Sequence, residues 1–235
     1  QRAIAERLDR ADALRQKDRQ LLREYDALAQ SVFVEMFGDP VRNEKGWAVK
    51  PLGMYVTIIG GGTPSRDVNE YFIGNICWAT SKDIKNNYLN DTEEHVSEAA
   101  IQNSSTKLVP PGTLLLVVKS KILMHTLPVA ISKVPVCFSQ DIKGVIPNDG
   151  LNIEFLSVQL KMRKYILLGK ARGVNTEGLT LEHLRSFPVH LPPFSLQNRF
   201  AEILTNIEQQ KALVRKQQAE SEALFGRLLQ EAFAN

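Results

Sequence analysis

The two ends of the chain are similar to each other, and this internal repeat constrains the fold more than any other sequence feature. Residues 1–37 align with residues 197–233 at a constant offset of 196, without a gap and with ten identities. The identical pairs are Gln1/Gln197, Ala5/Ala201, Glu6/Glu202, Leu8/Leu204, Arg19/Arg215, Glu24/Glu220, Ala27/Ala223, Leu28/Leu224, Glu35/Glu231 and Phe37/Phe233. A repeat of this kind indicates two copies of one structural unit. The chain therefore consists of two related ends and one central segment.

Both copies of the repeat have the residue spacing of a long amphipathic helix. Apolar residues recur at steps of three and four positions, and charged residues fill the positions between them. Each copy is long enough for a helix of about 30 residues, or roughly 45 Å. An apolar stripe of that length needs a partner, so we expect the two helices to pack against each other as a coiled coil. The residues expected in their seam are Leu8, Leu28, Val32, Ile207, Leu224 and Leu228.

The central segment has the pattern of a mixed α/β domain. Its strand-like runs are rich in β-branched and aromatic residues, and turn signals such as Gly60-Gly61-Gly62 and Pro110-Pro111-Gly112 separate them. The strand-like runs are residues 54–59, 114–118 and 134–138, and helices are expected at 153–168 and 180–186. We therefore expect an α+β fold with a long helix over residues 1–38, a mixed α/β domain over 41–190 and a second long helix over 196–234.

The sequence excludes several classes of function. No run of about 18 apolar residues is present, and no signal peptide opens the chain, so we expect no membrane span. The two cysteines and four histidines have no metal-ligand spacing, so neither a disulfide nor a metal site is expected, and a reducing cytoplasm is the expected location. Phosphate-binding loop motifs are absent. The motif Leu191-Pro192-Pro193-Phe194 resembles one found in amino-methyltransferases, but Leu191 lacks the polar side chain which that chemistry needs. We expect no catalysis and no cofactor in this chain.

The distribution of charge indicates a polyanionic partner. The whole chain carries a net charge of only +3, but residues 107–172 contain ten basic and three acidic residues, a net of +7. A local excess of this size is typical of a surface that binds nucleic acid. A basic face that contacts only solvent is the alternative.

Six short motifs follow one another along the chain. They are Met36-Phe37-Gly38-Asp39-Pro40, Gly61-Gly62-Thr63-Pro64-Ser65, Ile76-Cys77-Trp78-Ala79-Thr80-Ser81-Lys82-Asp83-Ile84, Lys107-Leu108-Val109-Pro110-Pro111-Gly112-Thr113, Phe138-Ser139-Gln140-Asp141-Ile142, and Leu191-Pro192-Pro193 followed by Gln197. In this order, and between repeated helices, they resemble the DNA specificity domain of type I restriction-modification specificity subunits. The resemblance covers nearly the whole chain.

The resemblance implies both an architecture and a set of partners. A full specificity subunit has two target-recognition domains, each followed by a long helix, and the two helices pack antiparallel as a spacer. Each domain reads one half of a split site in double-stranded DNA. Methylation subunits hold the helices, supply catalysis to form N6-methyladenine, and connect to the restriction subunit. S-adenosylmethionine, ATP and Mg²⁺ belong to those partner subunits.

This chain matches one helix, one recognition domain and one helix. It begins at Gln1 rather than Met, so we expect further native sequence upstream. Its remaining partner is then either the N-terminal half of the same subunit or a second copy of the chain.

Four polar loops are the candidates for contact with DNA. Lysine and arginine side chains on phosphates set the register, and polar side chains at base edges read the sequence. The candidates are Thr63, Ser65 and Arg66 in a glycine-rich loop whose backbone N–H groups can approach a phosphate; Thr80, Ser81 and Lys82; Lys119, Ser120 and Lys121; and Lys170, Arg172 and Asn175. For each loop, a solvated turn is the alternative.

Two other functions fit the same sequence. The chain could be the DNA-reading tail of a fused methyltransferase-nuclease, which requires an Asn-Pro-Pro-Tyr-like motif upstream. It could also be a coiled-coil protein adaptor, which would bind DNA weakly and without dependence on salt.

Overall fold

The computed structural model describes residues 2–171 and 178–233. The helices are α1 (Arg2–Phe37), α2 (Glu98–Gln102), α3 (Ile153–Met162), α4 (Lys164–Ala171), α5 (Leu181–Arg185) and α6 (Phe194–Phe233). The strands are β1 (Ala48–Pro51), β2 (Val56–Gly60), β3 (Ile76–Ala79), β4 (Tyr88–Leu89), β5 (Glu94–Val96), β6 (Leu114–Val117), β7 (Val129–Ser132), β8 (Val136–Phe138), β9 (Ile142–Pro147) and β10 (Pro188–Leu191). The predicted combination of a mixed α/β domain with two long helices is confirmed.

The chain divides into a helical unit, which holds most of α1 and α6, and a mixed unit of residues 37–198. In the helical unit, side chains that follow one another along α1 contact side chains that occur in reverse order along α6. The contacts are Arg15 with Glu222 at 2.8 Å, Asp26 with Lys211 at 2.6 Å, and the rings of Phe33 and Phe200 at 5.5 Å. The two helices are therefore antiparallel. Across the described residues, no helix is both long and apolar enough to cross a membrane.

The seam between the helices differs from the predicted one. Leu28 and Leu224 are 46% and 39% exposed, so their predicted place in the seam is wrong. Ile207 is buried, whereas Leu8, Val32 and Leu228 are only partly buried. Buried residues at seven-residue spacing include Ala11 and Asp18 in α1. In α6 they form two rows: Phe200, Ile207, Val214 and Ser221, and Leu204 with Lys211.

The reason for the difference is that α1 carries two rows of residues at the same spacing. Leu14 and Leu28 form one row and are exposed, while Ala11 and Asp18 form the other and are 2% exposed. Apolar character alone favours the leucine row. The second row packs in the seam instead, because Ala11 is small and Asp18 accepts hydrogen bonds from donors on α6.

The seam is partly ionic. Asp18 accepts hydrogen bonds from Gln217 Nε2 and Ser221 Oγ, both at 3.0 Å. The ammonium of Lys211, whose side chain is 3% exposed, donates to Glu208 at 2.7 Å and to Asp26 at 2.6 Å. Buried charges are tolerated when they are paired in this way. Such polar pairs also disfavour other registers of the helix pair.

Among the described residues, the mixed unit contains three sheets, and β9 pairs with two strands of the largest one. The five-stranded sheet has the order β2-β9-β6-β7-β4, the three-stranded sheet β5-β3-β8, and the two-stranded sheet β1-β10. The start of β9 pairs with the ends of two strands, because Lys143 lies opposite Gly60 and Ile142 lies opposite Val117. Strand β8 runs parallel to β3, and three residues separate its end from the start of β9. The carboxyl ends of β2, β3, β6 and β8 therefore meet at one edge.

The core of the mixed unit lies on both faces of β3. Cys77 and Ala79 belong to a large buried cluster with residues of β6, β8 and β9. Trp78, which is 2% exposed, packs into a second cluster with Val96 of β5 and Ala100 of α2. Successive side chains of a strand point to opposite faces, so this short segment joins the two clusters.

One buried histidine gives the mixed unit a testable pH dependence. His190 on β10 is 5% exposed, and burial, together with the charge of Arg163, lowers its pKa from 6.5 to about 4. Between those two values the unfolded chain takes up a proton that the folded chain excludes, so stability falls as the pH falls. We expect this group to cost about 2 kcal/mol of unfolding free energy between about pH 7.5 and about pH 5.

The measurement is urea unfolding of the wild-type chain and of His190→Gln at both pH values. The variant should lose about 2 kcal/mol less than the wild type over that interval. His125→Gln, at an exposed histidine, is the control and should keep the wild-type pH dependence. Equal losses in the wild type and His190→Gln would show that His190 is protonated normally in the folded state.

Candidate nucleic-acid interface

A short turn at the strand edge holds two of the predicted loops together. This central turn, residues 139–141, joins β8 to β9. The N–H of Gly62, in the glycine-rich loop (residues 60–66), donates to the carbonyl of Phe138 at 2.9 Å. The N–H of Ser139 donates to the carbonyl of Ala79 at 2.9 Å, directly before the Thr80 loop (residues 80–83). Both loops are thus fixed to the same turn.

The Lys119 loop, residues 118–121, contacts the same central turn from β6. The N–H groups of Val118 and Lys119 donate to the carbonyl of Asp141 at 2.8 and 3.3 Å. The Ser120 hydroxyl accepts from the N–H of Ile122 at 3.4 Å, and a short 3-10 helix follows. The side chains of Lys119 and Lys121 are exposed. Three of the four predicted loops therefore lie side by side.

A cleft lies beside the Lys119 loop. Its volume is about 660 Å³, and it is lined by Lys119, Ser120, Lys121, Leu123, Met124, Asp141, Ala171 and Gly178. Because both elements line the cleft, the end of α4 lies close to the Lys119 loop. Lys170, also at that end of α4, donates a hydrogen bond to Ser186 Oγ at 3.1 Å. Arg172 and Asn175, the other candidates of the fourth loop, lie outside the described residues.

The glycines of the glycine-rich loop have a structural role that differs from the predicted one. The N–H of Gly62, expected to approach a phosphate, is already bonded to Phe138, and the Gly62 carbonyl accepts from Trp78 Nε1 at 3.1 Å. A Cβ at Gly61 would lie 2.1 Å from the carbonyl oxygen of Ser139. These glycines allow the backbone of the loop to pack against the central turn. The N–H of Gly62 is therefore not one of the free N–H groups that were predicted for this loop.

The polar side chains of the glycine-rich loop have partners within the domain. The hydroxyl of Thr63 donates to Gln140 Oε1, and Ser65 is exposed. Arg66 forms two hydrogen bonds with the carboxylate of Glu94, at 2.5 and 2.8 Å, and its guanidinium lies 4.2 Å from the ring centre of Phe72. The bonds from Arg66 lower the pKa of Glu94. The pairing leaves Arg66 half-exposed but offsets its charge.

The Thr80 loop is a rigid turn that presents one lysine. The N–H and the hydroxyl of Thr80 both donate to Asp83 Oδ2 at 2.8 Å. Lys82 is exposed, and Ser81 is partly buried. Of the three candidates here, Lys82 has the placement that a phosphate contact needs.

The described basic residues between 107 and 170 do not form a single face. Lys133 pairs with Glu154 at 3.2 Å, and Lys161 donates to Asn87 Oδ1 at 2.5 Å. Arg163 is 6% exposed and donates to a backbone carbonyl at 2.6 Å. The net charge of this stretch therefore overstates the charge available to a polyanion.

Gln140 is a candidate that the sequence analysis missed. It is exposed at the middle of the central turn, between the glycine-rich loop and the Lys119 loop. Its carboxamide offers both donors and an acceptor, which is the combination that base edges require. The only signal in the sequence is its position within the motif Phe138-Ser139-Gln140-Asp141-Ile142.

These features define a class of protein: a mixed α/β domain that presents polar loops at one strand edge and is joined to an antiparallel pair of long helices. Residues 44–223 match the model of a family described as the type I restriction modification DNA specificity domain. The chain belongs to this family. The resemblance stated from the sequence motifs is confirmed.

Individual proteins support the same assignment. The chain is 33% identical over 162 residues to the Escherichia coli type I restriction enzyme EcoR124I/EcoR124II specificity subunit, covering 68% of this chain and 40% of that subunit. Two solved structures share the fold over 97% of this chain. One comes from work on complex assembly and conformational transition of the type I R-M system. Its TM-score is 0.65, its sequence is 22% identical to this chain, and the match covers 55% of its length. The HsdS subunit from Thermoanaerobacter tengcongensis has a TM-score of 0.59, 23% identity and 54% coverage. The chain spans about half the length of these proteins.

Proposed function

We propose that the chain is the sequence-specific DNA recognition half of a type I restriction-modification complex and reads one half of a bipartite site. The observation that carries this proposal is the meeting of three polar loops around the central turn, in a chain of the DNA specificity family. Exposed polar loops at one edge of a rigid sheet provide the fixed geometry that base recognition needs.

The two kinds of contact would come from different side chains at this edge. Lys82, Lys119 and Lys121 are exposed and would neutralise phosphates, which sets the position of the domain on the duplex. Gln140 and Thr63, which are bonded to each other at the centre of the edge, would meet base edges.

The chain itself would bind neither S-adenosylmethionine nor ATP and would catalyse no reaction. Methylation subunits would supply S-adenosylmethionine chemistry, and ATP and Mg²⁺ would act in the restriction subunit that they recruit. The helical unit offers a surface for such partners, because Leu14, Leu28 and Leu213 are 44%, 46% and 62% exposed. The second half-site would be read by an N-terminal half or by a second copy of the chain, in the cytoplasm.

The family match favours this function over the two alternatives. A specificity domain over residues 44–223 accounts for the central segment and for most of α6. A fused enzyme tail additionally needs catalytic motifs upstream, and a protein adaptor does not need the polar strand edge.

Lys119→Ala and Gln140→Ala should separate phosphate contacts from base contacts. Lys119→Ala should weaken binding to cognate and random duplexes alike, and it should reduce the slope of log affinity against log salt by about 1, since one fewer counterion is released. Gln140→Ala should lose roughly 1–3 kcal/mol on the cognate site and little on random DNA. Fluorescence anisotropy at several salt concentrations, with the chain assembled with its methylation subunits, gives both quantities.

Lys50→Ala is the matched control, because Lys50 is an exposed lysine on the separate β1-β10 sheet. It should leave affinity and salt slope unchanged. If Lys119→Ala and Gln140→Ala behave like this control, the strand edge is not the DNA-binding surface.

A further inference from the structure

Three side chains of types that bind metal ions lie together beside β3 and β5. Cys77 on β3 is directly opposite His95 on β5 in the antiparallel register, which places the two side chains on the same face of the sheet. Asp91 lies in the loop before β5, four residues ahead of His95. None of these residues is needed for the DNA contacts proposed above.

The distances between their ligand atoms are those of a coordination site. Asp91 Oδ1 lies 2.9 Å from His95 Nε2 and 3.5 Å from Cys77 Sγ, and the sulfur lies 3.8 Å from His95 Nε2. In a tetrahedral zinc site, bonds of about 2.0 Å to nitrogen and oxygen and about 2.3 Å to sulfur place neighbouring ligand atoms roughly 3.3–3.6 Å apart. An ion at the centre of this triangle needs only small movements of the side chains.

We propose that Cys77, Asp91 and His95 bind one zinc ion, with water as the fourth ligand. One sulfur, one nitrogen and one oxygen form a ligand set that suits this borderline-soft cation. The placement allows the ion to enter, because the side chains of Asp91 and His95 are 73% and 31% exposed while Cys77 is buried. Binding converts the Cys77 thiol to a thiolate and releases its proton to solvent.

The ion would fix residues 92–94, which lie between Asp91 and His95 and contact the loops at the strand edge. The hydroxyl of Thr92 accepts from the N–H of Trp78 at 3.0 Å, and the N–H of Glu93 donates to Asp83 Oδ1 at 2.9 Å. Glu94 holds Arg66. A metal bound by the residues that flank this segment ties β3 to the Thr80 loop and to the glycine-rich loop. Zinc should therefore raise the melting temperature of the chain in the absence of DNA.

Cobalt is the probe that reports the ligands directly. The full chain, freed of metal with a chelator, is titrated with Co²⁺. We expect one equivalent to bind, with a sulfur-to-cobalt charge-transfer band and the strong visible bands of tetrahedral coordination. Zinc should then displace cobalt and abolish both signals. Absence of the charge-transfer band at saturating Co²⁺ would overturn the proposal and leave a hydrogen-bonded Cys–Asp–His cluster.

Substitutions identify the site. Cys77→Ser should remove the charge-transfer band, and His95→Gln should weaken Co²⁺ binding at least about tenfold, since loss of even an outer partner costs that much. His125→Gln, at an exposed histidine, is the control and should bind as the wild type does. A band that persists in Cys77→Ser would place the metal elsewhere and overturn the assignment. If Cys77→Ser does not fold, Asp91→Asn at an exposed position carries the test, and unchanged affinity there contradicts the proposal.

Discussion

Gly61→Ala is expected to destabilise the mixed unit by about 3 kcal/mol, the upper end of the cost of overpacking. The Cβ of an alanine would lie 2.1 Å from the carbonyl oxygen of Ser139 and 2.5 Å from that of Phe138. Both are backbone atoms, one in the central turn and one in the last residue of β8, so neither can move away by changing a side-chain rotamer. The turn itself would have to shift, and with it the contacts that hold the three loops together.

Gly60→Ala is the matched control at the neighbouring position. The nearest atom to its added Cβ is Lys143 Nζ at 3.6 Å, which is an ordinary contact with a flexible side chain. Its stability should stay within about 0.5 kcal/mol of the wild type. Urea unfolding of both variants measures the difference. Equal stability of the two would mean that the glycine-rich loop does not pack on the central turn.

The elements that the sequence predicted well are those set by local periodicity. The two long helices follow from apolar spacing repeated over 37 residues, and the run at 54–59 overlaps β2 (Val56–Gly60). The helix predicted at 153–168 is instead two helices with a break at Arg163. The buried guanidinium of Arg163 donates to the carbonyl of Pro188, 25 residues away, and no local pattern contains that contact.

The polar loops could be found in the sequence, but their arrangement could not. Glycine, serine, threonine and lysine after a strand-like run indicate an exposed loop wherever they occur. The loops meet because the start of β9 pairs with both β2 and β6, which is a long-range choice of strand partners. The proximity of Cys77 and His95 could not be predicted from the sequence for the same reason. They are 18 positions apart, and only the pairing of β3 with β5 places them opposite each other.

The seam of the helical unit shows why apolar spacing is an incomplete guide to packing. Leu28 and Leu224 match the expected stripe, yet both remain exposed, while Asp18 and Lys211 are 2% exposed. Burial of polar side chains is favourable here only because each one meets a partner on the other helix. Complementarity between two helices is a property of the pair, and neither helix alone reveals it.

Lys211→Met is accordingly expected to destabilise the helical unit by roughly 3–5 kcal/mol, the usual cost of removing one partner of a buried ion pair. Methionine keeps much of the length and apolar character of lysine but removes the ammonium that lies 2.7 Å from Glu208 Oε1. The side chain of Glu208 is 4% exposed, so hydration cannot replace the lost pairing, and the cation that remains beside it is Arg215, whose Nη1 lies 3.8 Å from Oε2. Thermal and urea unfolding followed by helical circular dichroism measure the change.

Two further variants separate charge from packing. Asp26→Asn removes the other carboxylate bound to Lys211, but the Asp26 side chain is 57% exposed, so the loss should be at most about 1 kcal/mol. Combining Lys211→Met with Glu208→Leu removes both buried charges and should recover more than half of the lost stability, because an apolar pair of similar volume can replace a buried ion pair. If the double variant is less stable than Lys211→Met, the cost arises from packing around residue 208 rather than from an uncompensated charge. If Lys211→Met is as stable as the wild type, the ammonium is not paired within the seam.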